Sequence, residues 1–267
     1  MLNRVRLFGL DFISCQSEGE IVAELLDLAN DEQRRLAVPF TVVTPNVDQL
    51  VRLDRHEDSV AEFVIRSAHY VVPDGQPVVW ASKILKRPIV ARIAGSTLVA
   101  SLWPQSIEHG LRSVVIAPSD AVAQKINDEN QRSRVFVAPN FEMTDLEAIG
   151  AWVAKLMPEI SSNRPTLCFV TLGFPKRCRV IDEMIKHWPT GQPYPVFLAI
   201  GGSFEMYYGL RRRAPHWIQR VGFEWLFRLA QDPRYLWRRY LVDDPHFFKM
   251  VWRNRHLRHT VDVSGVI

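Results

Sequence analysis

A segment near the C-terminal end, residues 201–229, combines groups that bind phosphate with groups that contact apolar surfaces. It opens with Gly201 and Gly202, directly after the apolar stretch Val196–Ile200, and continues through the consecutive arginines Arg211–Arg213. Arginine stays charged and offers a planar pair of donors to a phosphate. Aromatic residues alternate with further arginines beyond this point, as in helices that enter a bilayer interface. The segment therefore predicts a site for a diphosphate beside an apolar surface; the alternative is a packed pair of terminal helices with a core of aromatics.

Polar side chains also stand at the ends of two apolar, β-branched runs. Thr44 ends the run 40–44 and Asn46 follows it, while Asp74 follows the run 70–73. Residues of these types commonly cap the helix that comes next. At the end of a buried strand an aspartate is also placed to act as a general base. Both interpretations of Asp74 stay open at this point.

Two further turns carry cations. Arg92 precedes the small-residue turn Gly95–Thr97, a pattern that suits a phosphate cradle at the start of a helix. Gly173 opens a glycine–proline turn that leads to Lys176 and Arg177. The alternative for each cation is a solvated surface charge.

The elements that must position these residues alternate between strand and helix. Short apolar runs are separated by longer segments with helical periodicity, which predicts an α/β fold with a Rossmann-like, mostly parallel sheet and helices on both faces. In such sheets the site lies at the carboxyl ends of the strands. The predicted strands are Val5–Leu10, Phe40–Thr44, Tyr70–Pro73, Ile89–Ile93, Ser113–Ala117, Val135–Ala138, Leu167–Leu172 and Pro195–Ile200.

The pattern changes after Gly202. Three helices are predicted over 215–230, 233–242 and 245–257, each beginning near a proline that suits a first helical turn. The net charge of +4 is uneven, because residues 211–258 hold twelve Lys and Arg against four Asp and Glu. We therefore predict an α/β domain over 1–208 and a helical, basic and aromatic appendage over 209–267 that faces an anionic partner.

Several classes of protein are excluded by what the sequence lacks. The three cysteines form no CxxC pair, which argues against a disulfide framework or a structural zinc site. Histidines show no HxxxH or HxH spacing, and the motifs GxSxG, GxGxxG and GxxxxGK[ST] are missing. No signal peptide and no apolar run of about 20 residues is present. We expect a cytoplasmic protein that uses no metal and no cofactor.

Five sequence blocks in order resemble one family. The blocks are VTPNVDQL (43–50), VVPDGQPVVWAS (71–82), ARIAGSTL (91–98), VTLGFPK (170–176) and IGGSFEMYYGLRRRAPHWIQRVGFEWLFRL (200–229). They run in order across about the whole chain and resemble the WecG/TagA/CpsF family, glycosyltransferase family 26. The resemblance implies transfer of a hexose or N-acetylhexosamine from a UDP-sugar to a sugar linked by diphosphate to a polyprenyl carrier, with inversion and without a metal.

The resemblance also implies roles for individual residues. Asp74 matches the proposed catalytic base of the family, and Thr44 and Asn46 match the polar pair that faces it. Arg92 matches the arginine directed at the donor diphosphate or sugar. The remaining residues that we expect to bind substrate are Gly75, Gly173, Lys176, Arg177, Gly201, Gly202, Glu205 and, from the appendage, Arg213, Arg228, Arg234 and Arg238.

The chain departs from the pattern of the family at three places. Arg177-Cys178 stands where members usually have a Gln-Glu pair, which puts a charge where a polar contact to sugar or acceptor would be. Pro118–Asp120 replaces the usual glycines after the strand 113–117, and Glu205 replaces a common Asp.

Three alternatives to this enzyme stay open. One is a non-catalytic accessory subunit of another glycosyltransferase, and a second is an enzyme that acts on soluble substrates. The third is a nucleic-acid-binding module based on the basic aromatic tail, which we do not favour. We expect a peripheral protein on the inner face of the cytoplasmic membrane, and apolar surface on the appendage leaves homo-oligomerisation open.

Overall fold

The computed structural model of the chain describes residues 2–142, 145–211, 214–215, 218 and 224–256. It confirms the α/β fold with a mostly parallel sheet. The strands are β1 (Asn3–Leu7), β2 (Leu10–Ser14), β3 (Thr41–Val43), β4 (Tyr70–Val71), β5 (Ser113–Ala117), β6 (Arg134–Val137), β7 (Leu167–Val170) and β8 (Val196–Ala199). Their order across the sheet is β1-β2-β4-β3-β8-β7-β5-β6. The β1–β2 pair is antiparallel and the other neighbours are parallel.

Among the described residues up to 207, ten helices connect or follow these strands. They are α1 (Glu18–Asn30), α2 (Glu32–Ala37), α3 (Val47–Asp54), α4 (Ser59–Arg66), α5 (Gln76–Ile84), α6 (Gly95–Glu108), α7 (Asp120–Glu129), α8 (Leu146–Ser162), α9 (Lys176–Lys186) and α10 (Ser203–Tyr207). Helices α1, α6 and α7 share one apolar cluster with one face of the sheet. Helices α3, α4, α5, α8 and α9 share a second cluster with the other face.

The central strands are buried on both faces, as their continuous apolar sequences predict. All five residues of β5 are buried. Val114 and Ile116 belong to one apolar cluster, while Val115 and Ala117 belong to the other, because successive side chains of a strand point to opposite faces. A strand with both faces covered cannot carry an alternating pattern, and this explains its uniform hydrophobicity.

The predicted strand Val5–Leu10 is wrong, because the chain turns within it. Phe8 and Gly9 have φ values of 51° and 77°, and they join β1 to β2 as a two-residue hairpin. Positive φ at both central residues is the geometry whose twist matches the flanking strands. The glycine was the available signal for this turn, and β2 beyond it was not predicted.

The predicted strand Ile89–Ile93 is also wrong. Its backbone N–H groups are satisfied one at a time, since Ile89 donates to Ser82 Oγ at 2.9 Å and Val90 donates to Ser14 Oγ at 3.1 Å. Ile93 donates to the carbonyl of Pro73 at 3.0 Å. The segment therefore lies against the end of the sheet without forming a ladder, although it is apolar enough to resemble a strand. Helix α5 before it was not predicted either.

The C-terminal segment is helical in the part that the structure describes. It contains α11 (Glu224–Gln231), α12 (Pro233–Arg238), a π-helical turn (Arg239–Asp243) and α13 (His246–His256). Helix α13 packs on α3 and α5. Phe247 and Met250 of α13 are buried in the apolar cluster of the α/β region, and Phe247 contacts Phe8 with 5.3 Å between ring centroids. The predicted domain boundary near residue 208 stays a prediction.

None of the helices within the described ranges has the length and apolar character that a transmembrane span needs.

Candidate active site

The carboxyl ends of four neighbouring strands form the site. Asp74 follows β4, Asn46 follows β3, Gly201 follows β8 and Gly173 follows β7, and these strands are adjacent in the order β4-β3-β8-β7. Parallel strands end at one edge of a sheet, so that residues distant in sequence converge there. The structure therefore brings together the strand-end residues that the sequence singled out.

Two cavities open at this edge. The polar cavity has a volume of about 440 Å³ and is lined by the strand ends, α3, α10 and the start of α9, together with the C-terminal segment. Its cations are Arg52, Arg177, Arg211, Arg238 and Arg239. The apolar cavity has a volume of about 430 Å³ and lies between α5 and the C-terminal helices. Its apolar lining includes Trp80, Ile84, Trp225, Phe247, Phe248 and Val251.

Four residues line both cavities and mark their junction. They are Asn46, Asp74, Arg239 and Tyr240. A carboxylate thus stands between an arginine-rich space and an apolar space. A carboxylate in this position can take the proton of a hydroxyl group that enters through one cavity. The hydroxyl oxygen can then form a bond to a group held in the other cavity.

Asp74 is not the cap of the helix that follows it. The cap position of α5 belongs to Gly75, which has φ 114° and no side chain to offer. A residue with a Cβ would be strained at this φ, so glycine is required at the turn. The backbone N–H of Asp74 donates to the carbonyl of Pro45 at 3.3 Å, which joins the ends of β4 and β3. The helix-cap interpretation of Asp74 is therefore excluded.

Asn46 does cap a helix, and it also lines the site. Its Oδ1 accepts a hydrogen bond from the backbone N–H of Gln49 at 3.3 Å, at the start of α3. Thr44 is buried and its hydroxyl lies 3.5 Å from the carbonyl of Ala199, its acceptor on the neighbouring strand. Asn46 is thus held at the start of α3, and Thr44 is held against the end of β8. They present fixed polar groups beside Asp74.

Arg177 lies in the first turn of α9 and is only 5% exposed. Its Nη2 donates to Gln49 Oε1 at 2.6 Å. Burial lowers the pKa of Arg177, and the charges of Asp74 and Asp48 oppose that effect. The prediction that this residue is a solvated surface charge is therefore excluded.

The two halves of the predicted phosphate cradle face different cavities. Arg92 lines the apolar cavity with Asp74 and Gly75. Ser96, in the first turn of α6, lines the polar cavity. Gly95 begins α6 in close contact with the site, since a Cβ there would lie 3.0 Å from Ser203 Oγ and 3.2 Å from Thr44 Oγ1.

The remaining predicted residues divide into two groups. Gly173, Gly201, Gly202 and Arg238 line the polar cavity. Lys176, Glu205 and Arg234 line neither cavity. Glu205 instead lies beside Gly202, where its Oε2 would be 2.7 Å from an added Cβ. Arg213 and the side chain of Arg228 lie outside the described residues.

The sequence analysis missed several residues of the site. Arg239 is the most central, because it lines both cavities and its Nε lies 3.4 Å from Asp48 Oδ1. Gln49 and Asp48 follow Asn46 within one helical turn, so the spacing in the block at 43–50 could have indicated them. Arg52 and Arg211 also line the polar cavity. For Arg239 the basic composition of its segment was the one available signal.

A second carboxyl group, that of Asp244, lines the apolar cavity. Burial raises the pKa of Asp244 to about 7, and the charge of Arg239 opposes this. One oxygen of its side chain is buried without a hydrogen-bond partner among the described residues.

Asp54 of α3 holds helix α13 against the α/β region. Its Oδ2 accepts a hydrogen bond from His246 Nε2 at 2.9 Å, and its other oxygen pairs with Arg253. Arg55, the next residue, pairs with Asp243 at 2.8 Å. The wall of the apolar cavity that α13 contributes is thus attached by ionic contacts as well as by buried Phe247.

Across the described ranges, no three His, Cys, Asp or Glu side chains converge to form a metal site. The expectation that the protein works without a metal stays a prediction.

An α/β sheet with a carboxylate between an arginine-lined cavity and an apolar one is suited to group transfer between a phosphorylated donor and an amphipathic acceptor. The chain belongs to the WecG/TagA/CpsF family of glycosyl transferases, whose family model matches residues 5–260. It is therefore a glycosyltransferase.

Three relatives carry the name N-acetylglucosaminyldiphosphoundecaprenol N-acetyl-beta-D-mannosaminyltransferase. The protein of Bacillus spizizenii is 27% identical over 201 residues, which are 75% of this chain and 74% of the relative. That of Bacillus subtilis is 26% identical over 185 residues, 67% of this chain and 66% of the relative. That of Staphylococcus aureus is 29% identical over 171 residues, 63% of this chain and 64% of the relative. The match thus spans just under two thirds of the second and third relatives.

Proposed function

We propose that the protein transfers a hexose or N-acetylhexosamine from a UDP-sugar to a sugar that is linked by diphosphate to a polyprenyl carrier. The observation that carries this proposal is the position of Asp74 between the polar and the apolar cavity. A donor with a charged nucleotide and an acceptor with a long apolar tail need two such spaces that meet at the reacting atoms. The names of the relatives describe a reaction of this kind.

We assign the UDP-sugar to the polar cavity. Five arginines line it, and three of them, Arg211, Arg238 and Arg239, come from the C-terminal segment. Arginine offers paired donors that match the oxygens of a diphosphate. Gly201 and Gly202 let the backbone approach a bound phosphate closely, next to α10. We therefore infer that the diphosphate lies between the glycine pair and the C-terminal arginines.

The reaction that fits this arrangement is an in-line displacement with inversion. The carboxylate of Asp74 takes the proton of the acceptor hydroxyl, and that oxygen bonds to the anomeric carbon of the donor. The bond between this carbon and the diphosphate oxygen breaks, and UDP leaves with its electron pair. Arginines aimed at the diphosphate stabilise the charge that develops on it, a task that a metal performs in other transferases. Thr44 and Asn46 orient the sugar beside Asp74.

The acceptor belongs in the apolar cavity on this assignment. Aromatic and aliphatic side chains of α5 and α13 would contact the first isoprene units, and Arg92 would face the acceptor diphosphate beside Asp74. The acceptor sugar then reaches the junction where the hydroxyl meets Asp74. Arg92 is thereby assigned to the acceptor, whereas the family resemblance directed it at the donor.

We further propose that the protein binds the inner face of the cytoplasmic membrane through the mouth of the apolar cavity. Trp80 and Ile84 of α5 and Phe248 of α13 line this cavity and are exposed, and Trp252, one helical turn after Phe248, is exposed as well. We call this group of four the α5–α13 face. Lys83, Lys249, Arg253 and Arg255 lie on the same two helices. Aromatics flanked by basic residues suit an anionic bilayer surface, where the lipid carrier would enter the cavity directly.

The test is UDP release by the purified full-length protein. A panel of UDP-sugars is offered with and without a polyprenyl-diphosphate N-acetylglucosamine acceptor in detergent, each with and without EDTA. We expect release that requires the acceptor, resists EDTA and is selective for one donor.

Binding of UDP without release from any donor would contradict the proposal and favour the accessory-subunit alternative. Release that is independent of the lipid acceptor would favour an enzyme of soluble substrates. Loss of release in EDTA, restored by a divalent cation, would contradict the metal-free mechanism alone.

A further inference from the structure

Asp244 is a carboxyl group in the wall of the apolar cavity, and the displacement proposed above gives it no task. It lines that cavity together with Asp74 and Arg92. Its Oδ1 is buried and has no hydrogen-bond partner within the part of the chain that the structure describes. A buried polar oxygen that is left unpaired costs free energy, so nearly all such atoms in proteins have a partner. The cavity therefore offers a place for a ligand group that donates a hydrogen bond.

The main chain holds Asp244 at this position. Its N–H donates to the carbonyl of Arg239 at 2.8 Å, across the π-helical turn, and its carbonyl accepts from the N–H of Phe247 at 2.9 Å. Phe247 is buried against the α/β region at the start of α13. The backbone of Asp244 is thus fixed on both sides, and the carboxyl group is not needed to hold the turn.

The cations that act on Asp244 are engaged by other carboxylates. Arg55 pairs with Asp243 at 2.8 Å, and the Nε of Arg239 lies 3.4 Å from Asp48 Oδ1. Burial raises the pKa of Asp244 to about 7; the charges of these two carboxylates also raise this pKa, and those of the two arginines oppose the rise. A hydrogen bond donated to a carboxylate favours its charged form. A donor group on a ligand would therefore complete a site that the protein's own cations leave incomplete.

The ligand group that meets Asp244 has to be a hydrogen-bond donor, and this requirement selects the acceptor sugar. Isoprene units carry no N–H or O–H group. A diphosphate offers acceptor oxygens and is repelled by a carboxylate, so Arg92 suits it and Asp244 does not. In the proposed function the UDP-sugar occupies the polar cavity, which Asp244 does not line. The hydroxyl and amide N–H groups of the acceptor sugar are the donors that remain.

Resting on the proposed function, we propose that Asp244 determines acceptor specificity by accepting a hydrogen bond from a hydroxyl or amide N–H of the acceptor sugar other than the hydroxyl that reacts. Asp74 takes the proton of the reacting hydroxyl, and Asp244 holds the ring by a second group. Two contacts fix how the ring is turned in the cavity, so that one hydroxyl faces Asp74. Asp244 transfers no proton to or from the sugar, and the displacement itself is unchanged.

The experiment measures UDP release by the full-length protein while polyprenyl-diphosphate N-acetylglucosamine in detergent is varied at saturating UDP-sugar. Asp244→Leu should raise KM for this acceptor by about 10-fold or more, the range for loss of a hydrogen bond to a charged group. KM for the UDP-sugar and the affinity for UDP should not change. Asp244→Asn keeps an oxygen acceptor without the charge, so its KM should lie between. Asp232→Leu is the matched control, because Asp232 belongs to the same segment, is exposed and lines neither cavity.

Two further measurements identify the contact. Acceptor analogues that each lack one hydroxyl or the acetamido group are compared in the unaltered protein and in Asp244→Leu. Loss of one non-reacting group should raise KM in the unaltered protein by about as much as the substitution does, and the two changes together should raise it no further. In the unaltered protein, KM for the acceptor should also rise as pH falls below about 7, because the carboxylate takes up a proton. Asp244→Leu should not show this rise.

The outcomes distinguish this inference from the proposed function. An unchanged KM for the acceptor in Asp244→Leu would overturn the inference and leave the proposed function intact. The inference would also fall if affinity for UDP, UDP-sugar and acceptor dropped equally, or if the losses were additive for every analogue. Lack of turnover with every donor in the unaltered protein would overturn the proposed function; capture of labelled acceptor by the unaltered protein and by Asp244→Leu would then decide on the contact. If Asp244→Leu fails to fold, Asp244→Asn, which has nearly the same shape as the natural side chain, carries the comparison.

Discussion

Arg239 Nη2 lies 3.4 Å from Asn46 Oδ1, although the two residues are 193 positions apart in the chain. The same oxygen caps α3, and Arg239 is also 3.4 Å from Asp48 on that helix. A side chain of the C-terminal segment thereby contacts the residues that follow strand β3, at the junction of the two cavities. The site at the sheet edge is complete only with this segment in place.

The position of Arg239 makes it the arginine of the C-terminal segment with the largest expected effect on activity. Arg239→Gln should lower kcat/KM by about 10²–10³, the range for loss of a group that stabilises developing charge. The measurement is acceptor-dependent UDP release. Arg134→Gln is the control, because Arg134 is an exposed arginine on the far edge strand β6. Equal activity of the two variants would remove Arg239 from the mechanism.

Asp74→Asn should abolish turnover, because the amide cannot accept the proton of the acceptor hydroxyl at neutral pH. The two side chains have nearly the same shape, so we expect UDP to bind with similar affinity. Turnover and UDP binding are measured on the same preparation. Turnover at a rate near that of the unaltered protein would remove Asp74 from the role of general base.

The attachment of α13 through Asp54 predicts a dependence of stability on pH. Burial would raise the pKa of Asp54, but hydrogen bonds from His246 and Arg253 outweigh it and lower the pKa below its usual value. The contribution of Asp54 is therefore present above the pKa of the unfolded chain and is lost as pH falls through the lower pKa of the folded protein. Asp54→Asn should lower the free energy of unfolding by about 1–3 kcal/mol at neutral pH, and the difference should vanish in acid.

Urea unfolding at a series of pH values measures this difference. Asp27→Asn is a matched control, since the side chain of Asp27 is 80% exposed and lies 3.9 Å from its partner Arg34. Equal effects of the two substitutions at neutral pH would mean that Asp54 does not hold α13.

The α5–α13 face should bind anionic bilayers. Phe248 is 75% and Trp252 65% exposed, while Phe247 and Met250 anchor the same helix in the core. Replacing Phe248 and Trp252 by Ser should reduce co-sedimentation with vesicles that contain phosphatidylglycerol by about 10-fold or more, since burial of one large apolar side chain is worth about 1.5–3 kcal/mol. UDP binding should not change.

Phe63→Ser is the control for this face, because Phe63 is 64% exposed on α4 and lines neither cavity. If both variants bind vesicles as the unaltered protein does, the membrane contact lies elsewhere. Deletion of 209–267 is a poorer test, because it would also remove Phe247 and Met250 from the core.

The contact of Gly95 with the site predicts that a single methyl group would disturb it. A Cβ would lie 3.0 Å from Ser203 Oγ, 3.2 Å from Thr44 Oγ1 and 3.3 Å from the carbonyl of Ile200. Gly95→Ala should lower kcat/KM by about 10-fold or more through displacement of Thr44, since small misplacements reduce rates strongly. Gly19→Ala, whose added Cβ has ordinary contacts, is the control. Unchanged activity of Gly95→Ala would show that this edge can adjust.

Much of the fold could be predicted from local sequence because the central strands are buried on both faces. Continuous apolar runs marked β3, β5, β7 and β8, and the following polar residues marked Asp74, Thr44 and Asn46 as the sheet edge. The same criterion failed at Ile89–Ile93, which is equally apolar but has its N–H groups bound by side chains and a single carbonyl. Hydrophobicity indicates that a segment is buried, but it does not indicate which groups accept hydrogen bonds from its backbone N–H groups.

The α/β class, the strand-end residues and the family could all be predicted from the sequence, because they depend on local patterns of burial and on contiguous motifs. Tertiary structure decided which strands are neighbours and therefore which of those residues meet at one edge. It also decided that Arg239 reaches the site while Arg234 does not, and that Arg177 is buried. Those outcomes depend on how the C-terminal helices and α9 pack against α3, and packing between segments so far apart is not encoded in any local period.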